Sequence, residues 1–127
     1  MPVTENPAAL KDARILIADD EFMIAADLEF VFRNAGADVR MAATLDEALT
    51  AANGDPLDVA LLDVRLGTAS SLRVAEALAE RKIPFLFFSG QILPPEISTR
   101  FPQARALVKP VDYGKLLDET ARMIHTH

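Results

Sequence analysis

The sequence predicts an α/β domain built on a five-stranded, doubly wound parallel sheet with helices on both faces. Short apolar runs alternate five times with stretches whose apolar residues recur at helical spacing. The runs are apolar at consecutive positions, as strands buried on both faces require. Each interval is long enough for a helical crossover, the connection that parallel neighbours need.

Arg14-Ile15-Leu16-Ile17-Ala18 is the first strand, running into Asp19-Asp20-Glu21. From Glu21 to Ala35 the positions Ile24, Leu28, Val31 and Ala35 form one helical face, and Gly36 supplies the stop. Ala37 to Ala42 reads as a weaker strand. Thr44-Leu45-Asp46-Glu47 has the pattern of a capping box, and Asn53-Gly54 with Pro56 closes that helix. Val59 to Leu62 is a strand ending at Asp63, and Leu72 to Arg81 is a helix carrying Val74, Ala75, Leu78 and Ala79. Ile83 to Phe88 is the most apolar strand and ends at Ser89-Gly90, so Phe85, Phe87 and Phe88 belong to the core. Pro94, Pro95 and Pro102 leave room only for a short helix between Gln91 and Pro102. Ala104 to Val108 is the last strand, ending at Lys109-Pro110. Asp112 caps a final helix with Leu116, Leu117, Ala121 and Ile124 on one face. Met23 and Phe30 lie off the apolar line of the first helix. They are expected to pack under a neighbouring helix, the alternative being an exposed docking face.

The chain of 127 residues suits one domain. Residues 1–12, with Pro2, Asn6 and Pro7, are expected to form a flexible tail before a domain over 13–127. The formal net charge of −6 argues against DNA as a partner, since phosphate backbones call for a basic face. With no cysteine there is no disulfide, thiolate metal site or Cys nucleophile. No apolar stretch approaches the ~20 residues of a membrane helix, and Met1 to Lys11 lacks the apolar segment of a signal peptide. A cytoplasmic location with no membrane contact is expected. There is no Gly-rich phosphate loop, HExxH motif or Ser-His-Asp context, and His125 and His127, at the terminus, are given no role.

The polar residues carry the functional signal. Asp19-Asp20, Asp63, Ser89 and Lys109 each follow the apolar run of a different strand. Open α/β sheets bind ligands beyond the carboxyl ends of their strands, so these residues converge on one crevice. Each has a plain structural use: the aspartates and the serine as helix caps or turn residues, the lysine as a solvated strand end. Four such residues at four strand ends are hard to explain that way. Clustered carboxylates repel one another and either raise a pKa or recruit a cation. Oxygen-only ligands select a hard one, Mg²⁺ or alternatively Mn²⁺ or Ca²⁺. Mg²⁺ beside a carboxylate, an amine and a hydroxyl describes phosphoryl transfer to a carboxylate oxygen.

Taken together, Ile15-Leu16-Ile17-Ala18-Asp19-Asp20-Glu21, Leu61-Leu62-Asp63-Val64, Phe87-Phe88-Ser89-Gly90 and Val108-Lys109-Pro110 resemble the response-regulator receiver domains of two-component signalling, from about Arg14 to Ile124. The resemblance implies the flavodoxin-like fold and the following roles. Asp63 is the phosphoacceptor. Asp20 binds Mg²⁺ directly, Asp19 binds it through water, and Asp63 and the main-chain carbonyl of Arg65 complete the metal set. Ser89 is the switch hydroxyl, and Lys109 pairs with the phosphoryl group ahead of a cis Lys-Pro bond. The donor is a histidine kinase or histidine phosphotransfer protein. With no output domain after Ile124, the output is contact with a downstream protein, as relay intermediate, phosphate sink or partner-binding switch.

The sequence departs from that family at two places. Many receivers carry an aromatic residue three positions before the lysine, where this chain has Ala106. Leu66-Gly67-Thr68 replaces the common Met-Pro after the phosphoacceptor. These features, with Phe-x-Ser-Gly at the end of the fourth strand, resemble stand-alone alphaproteobacterial receivers that carry Phe-x-Thr-Gly there. A signalling role rather than an enzyme is expected. One alternative is a Mg²⁺-dependent phosphohydrolase, which wants an acid two residues after the nucleophile, where Arg65 stands. The other is a phosphorylation-independent binding module that keeps the pocket as a relic.

Overall fold

The computed structural model describes residues 10–90 and 92–125. In chain order the elements are β1 (Arg14–Ala18), α1 (Phe22–Asn34), β2 (Asp38–Ala42), α2 (Leu45–Gly54), β3 (Val59–Asp63), β4 (Arg65–Leu66), β5 (Ala69–Ser70), α3 (Leu72–Glu80), β6 (Phe85–Ser89), α4 (Pro95–Arg100), β7 (Arg105–Val108) and α5 (Tyr113–His125). Five strands form one parallel sheet in the order β2-β1-β3-β6-β7. This is the doubly wound α/β architecture that the sequence predicts.

The consecutive apolar residues of the strands divide between two cores. Ile15, Ile17, Val59, Leu61, Leu86 and Phe88 face α1 and α5, where Leu28, Phe32 and Leu116 are buried against them. Leu16, Ala18, Ala60, Leu62 and Phe87 face α2, α3 and α4, against small residues such as Ala48 and Ala52 and the larger Val74, Leu78 and Ile97. Side chains alternate across a strand, so only an unbroken apolar run can supply both layers. Truncating Leu62 or Phe87 to Ala would cost roughly 2–5 kcal/mol, the usual range for a large core side chain.

The helix caps and the glycine stop form as the local sequence predicts. Thr44 Oγ1 accepts from the Glu47 N–H at 3.1 Å, and the Glu47 carboxylate reaches back to the Ala43 N–H at 2.8 Å. Asp112 Oδ1 caps α5 through the N–H groups of Gly114 and Lys115. Gly36 sits at φ +97°, and a Cβ there would lie 3.1 Å from Lys11 Cα. Only glycine suits that stop.

Two expectations need correction. The tail is shorter at its inner end: Leu10 is buried in the α1/α5 core, and the Asp12 N–H donates to the Gly36 carbonyl at 2.9 Å. Residues 1–9 lie outside the described residues. Met23 and Phe30 do not pack under a neighbour, being 78% and 70% exposed. His125 closes the last turn of α5, and His127 lies outside the described residues. The segment after Asp63 folds into an antiparallel hairpin, β4–β5, turning at Gly67 with φ +66°.

Candidate functional site

The strand order reverses between β1 and β3, because the chain goes outward from β1 to β2 and then crosses back to β3. The carboxyl ends of β1 and β3 therefore flank the natural crevice of the fold. Asp19 and Asp20 follow β1, Asp63 ends β3, Ser89 ends β6 and Lys109 follows β7.

Asp19 is 1% exposed. Its backbone N–H extends the β1–β2 pairing by donating to the Ala42 carbonyl, and its Oδ1 accepts the Glu21 N–H at 2.8 Å. Its Oδ2 is buried without a hydrogen bond, 3.7 Å from Lys109 Nζ. Asp20 is exposed and accepts the Gly67 N–H on Oδ2 at 2.8 Å. Asp63 Oδ2 accepts from Lys109 Nζ at 3.0 Å, while its Oδ1 lies 3.5 Å from the Arg65 N–H. Lys109 also donates to Glu21 Oε1 and lies 5.1 Å over the Phe88 ring. Ser89 is 9% exposed, and its carbonyl accepts the Lys109 N–H at 2.7 Å, locking the ends of β6 and β7 together. The Lys109–Pro110 peptide is cis. Arg65 opens β4 with its side chain exposed.

Burial pushes the Asp19 carboxyl up to about 7, with the Glu21 amide and Lys109 pulling the other way and Asp63 adding to the rise. For Lys109, burial works against the charge, but hydrogen bonds to Glu21 and Asp63 and the charges of Asp19 and Asp63 outweigh it. Its pKa is raised, and the amine stays a cation.

One carboxylate oxygen from each of Asp19, Asp20 and Asp63 lies within 4.8 Å of the others. Three acids, one with a buried oxygen lacking any hydrogen bond, suit a hard divalent cation bound through oxygen. The fit is good.

The family model of the response regulator receiver domain matches residues 15–121. The chain belongs to this family. The receiver is similar to the non-phosphorylated HemR receiver domain of Leptospira biflexa, with 26% identity and a TM-score of 0.78 over 89% of this chain and 94% of that one. It is also similar to the chemotaxis response regulator CheY4 of Vibrio cholerae, with 26% identity and a TM-score of 0.75 over 89% and 99% of the two chains. A CheY-like receiver protein of Methanospirillum hungatei shares the fold at 22% identity, with a TM-score of 0.82 over 91% and 96%. No curated protein sequence matches the receiver significantly. Among the described residues, no helix is long and apolar enough to cross a membrane.

Two contacts of this receiver site escaped the sequence. Glu21 stood in the acidic motif without a role, yet it holds Lys109. Gly67 stood in a departure from the family pattern, yet its N–H holds Asp20. The partners are 88 and 47 residues apart, and only the closure of the sheet brings them together.

Proposed function

We propose that this receiver accepts a phosphoryl group on Asp63 from a phosphohistidine of a partner protein, in a Mg²⁺-dependent step, and signals through protein contacts. The observation that carries the reading is the pairing of Asp63 Oδ2 with the Lys109 ammonium at 3.0 Å inside the acid trio. An Asp63 oxygen forms the new O–P bond as the P–N bond to the donor imidazole breaks, and the departing imidazole takes up a proton. Asp20 and Asp63 would hold Mg²⁺ directly, Asp19 through water, with the Arg65 carbonyl as a further ligand. The bound cation supplies charge neutralisation for the transferring group. Lys109 neutralises a further phosphoryl oxygen, and the Ser89 hydroxyl donates to another once the group is in place.

A donor that reaches Asp63 must cover the rim of the crevice. That rim continues onto α1, where Phe22, Met23, Ala26 and Phe30 form an exposed apolar strip beginning one residue after Glu21. Such a strip favours a protein surface as donor, and the net charge of −6 disfavours nucleic acid. A histidine kinase or histidine phosphotransfer protein in the cytoplasm supplies that chemistry.

The test is incubation with acetyl phosphate and Mg²⁺ followed by intact mass. One added phosphoryl group, absent in Asp63→Asn, is expected. Continuous release of phosphate from small phosphate esters would support a phosphohydrolase instead, and an unchanged mass would leave a binding module.

A further inference from the structure

We infer that Glu21 is a positioning residue that anchors the Lys109 ammonium while the phosphoryl group is transferred, an inference that rests on the function proposed above. Three carboxylates surround Lys109 Nζ: Glu21 and Asp63 at hydrogen-bonding distance and Asp19 at 3.7 Å. Asp19 and Asp63 belong to the trio that suits a metal; Glu21 does not. When a cation and a phosphoryl group occupy the crevice, Asp63 turns from a carboxylate into an acyl phosphate and its hold on the amine weakens. Glu21 is the hydrogen-bonded partner of Lys109 that neither takes the phosphoryl group nor belongs to the acid trio.

The placement of Glu21 suits an anchor. It occupies the N-cap position of α1, its N–H donates to Asp19 Oδ1, and its carbonyl accepts the Ala25 N–H at 2.8 Å. Its backbone is thus fixed to both the acid pocket and the helix, while its carboxylate leans over the crevice to Lys109. The Lys109 side chain is only 14% exposed, so water does little to hold it. An ammonium has three N–H donors on a flexible four-carbon stem. With one donor committed to Glu21, another reaches Asp63 Oδ2 at 3.0 Å, so the ammonium is held beside the carboxylate that would take the phosphoryl group. Holding a charged group in place beforehand acts on the transfer step rather than on encounter with the donor.

The experiment measures the phosphorylation rate against acetyl phosphate concentration at saturating Mg²⁺, for wild type, Glu21→Ala, Glu21→Gln, Lys109→Ala and the double variant Glu21→Ala/Lys109→Ala. Glu21→Ala is expected to lower the maximal rate roughly tenfold, with half-saturation unchanged within about twofold. Glu21→Gln, which keeps an acceptor oxygen, should recover most of the rate. In the Lys109→Ala background, removal of Glu21 should cost nothing further, because the two residues act as one unit. An unchanged maximal rate, a shift in half-saturation alone, or an equal further loss in the Lys109→Ala background would overturn the inference while the proposed function stands. A Glu21→Ala variant whose Mg²⁺ affinity falls more than tenfold would assign Glu21 to the metal site instead. A wild type that takes no phosphoryl group refutes the function itself, and the inference with it.

Discussion

The backbone N–H of Gly67 donates to Asp20 Oδ2 at 2.8 Å, so the hairpin after β3 holds one of the three pocket acids through its main chain. The contact depends on a turn that places Gly67 at φ +66°. A side chain at that φ meets its own backbone and costs roughly 1–2 kcal/mol, although nothing else lies within 4 Å of the added Cβ. Gly67→Ala should therefore destabilise the fold by about 1 kcal/mol in urea titration. Gly54→Ala, at the end of α2 with no positive φ and open space around its Cβ, should instead gain about 0.4–1 kcal/mol. Equal effects of the two substitutions would refute the account of the hairpin.

Metal binding should be visible as stability. Mg²⁺ at ten times its dissociation constant should stabilise the wild type by about 1.4 kcal/mol, since it binds only the folded crevice. Asp20→Asn should abolish that gain and yet raise the metal-free melting temperature, because one of three clustered charges is gone. A wild-type melt indifferent to Mg²⁺ would count against the site.

The exposed strip on α1 makes a prediction that separates docking from chemistry. Phe30→Ser should change stability by less than about 0.5 kcal/mol, as surface substitutions do. It should slow phosphoryl transfer from a phosphohistidine protein while leaving labelling by acetyl phosphate unchanged. If both donors slow equally, α1 contributes to the crevice and not to docking.

The signal should leave through the segment from Ser89 to Phe101. Ala106 pairs with Phe87 in the sheet and is exposed, so no ring there can report the movement of Ser89. Pro94 and Pro95 restrict the backbone at the start of α4. Gln91, inside this stretch, lies outside the described residues. Amide shifts with and without a stable phosphoryl mimic should be largest over 89–101 and much smaller in Ser89→Ala. Shifts confined to α1 would show another route.

Acid stability should report the Arg14–Asp58 pair at the opposite end of the sheet. Asp58 Oδ2 accepts the Arg14 N–H at 2.8 Å, and the guanidinium approaches both carboxylate oxygens. The hydrogen bond from Arg14 holds the Asp58 carboxyl below its ordinary value. A lowered folded pKa means stability that is present above the unfolded value of about 4 and lost as the pH falls through the folded one. The difference in melting temperature between wild type and Asp58→Asn should be largest near neutrality and shrink in acid. A constant difference would mean that the pair contributes through packing and not through charge.

The five sheet strands and the strand ends on which Asp19, Asp20, Asp63, Ser89 and Lys109 stand were legible in the sequence. Burial on both faces, however, holds only for β1, β3 and β6, since β2 and β7 lie at the sheet edges and β7 is largely exposed. Strands and strand ends are local properties: unbroken apolar runs such as Val59–Leu62 set strands inside the sheet, and polar residues directly after them fall at its carboxyl edge. Helix caps at Thr44 and Asp112 were legible for the same reason, since a cap acts within one turn. What stands opposite each face depends on long-range packing. Periodicity on α1 separates Leu28 from Phe30, but whether a neighbour covers Phe30 depends on where α5 and β2 dock, and they leave it exposed. The β4–β5 strands, two residues each, are too short for any period to show. The hold of Glu21 on Lys109 and of Gly67 on Asp20 likewise joins residues far apart in sequence, and such contacts exist only once the sheet has set its strand order and register.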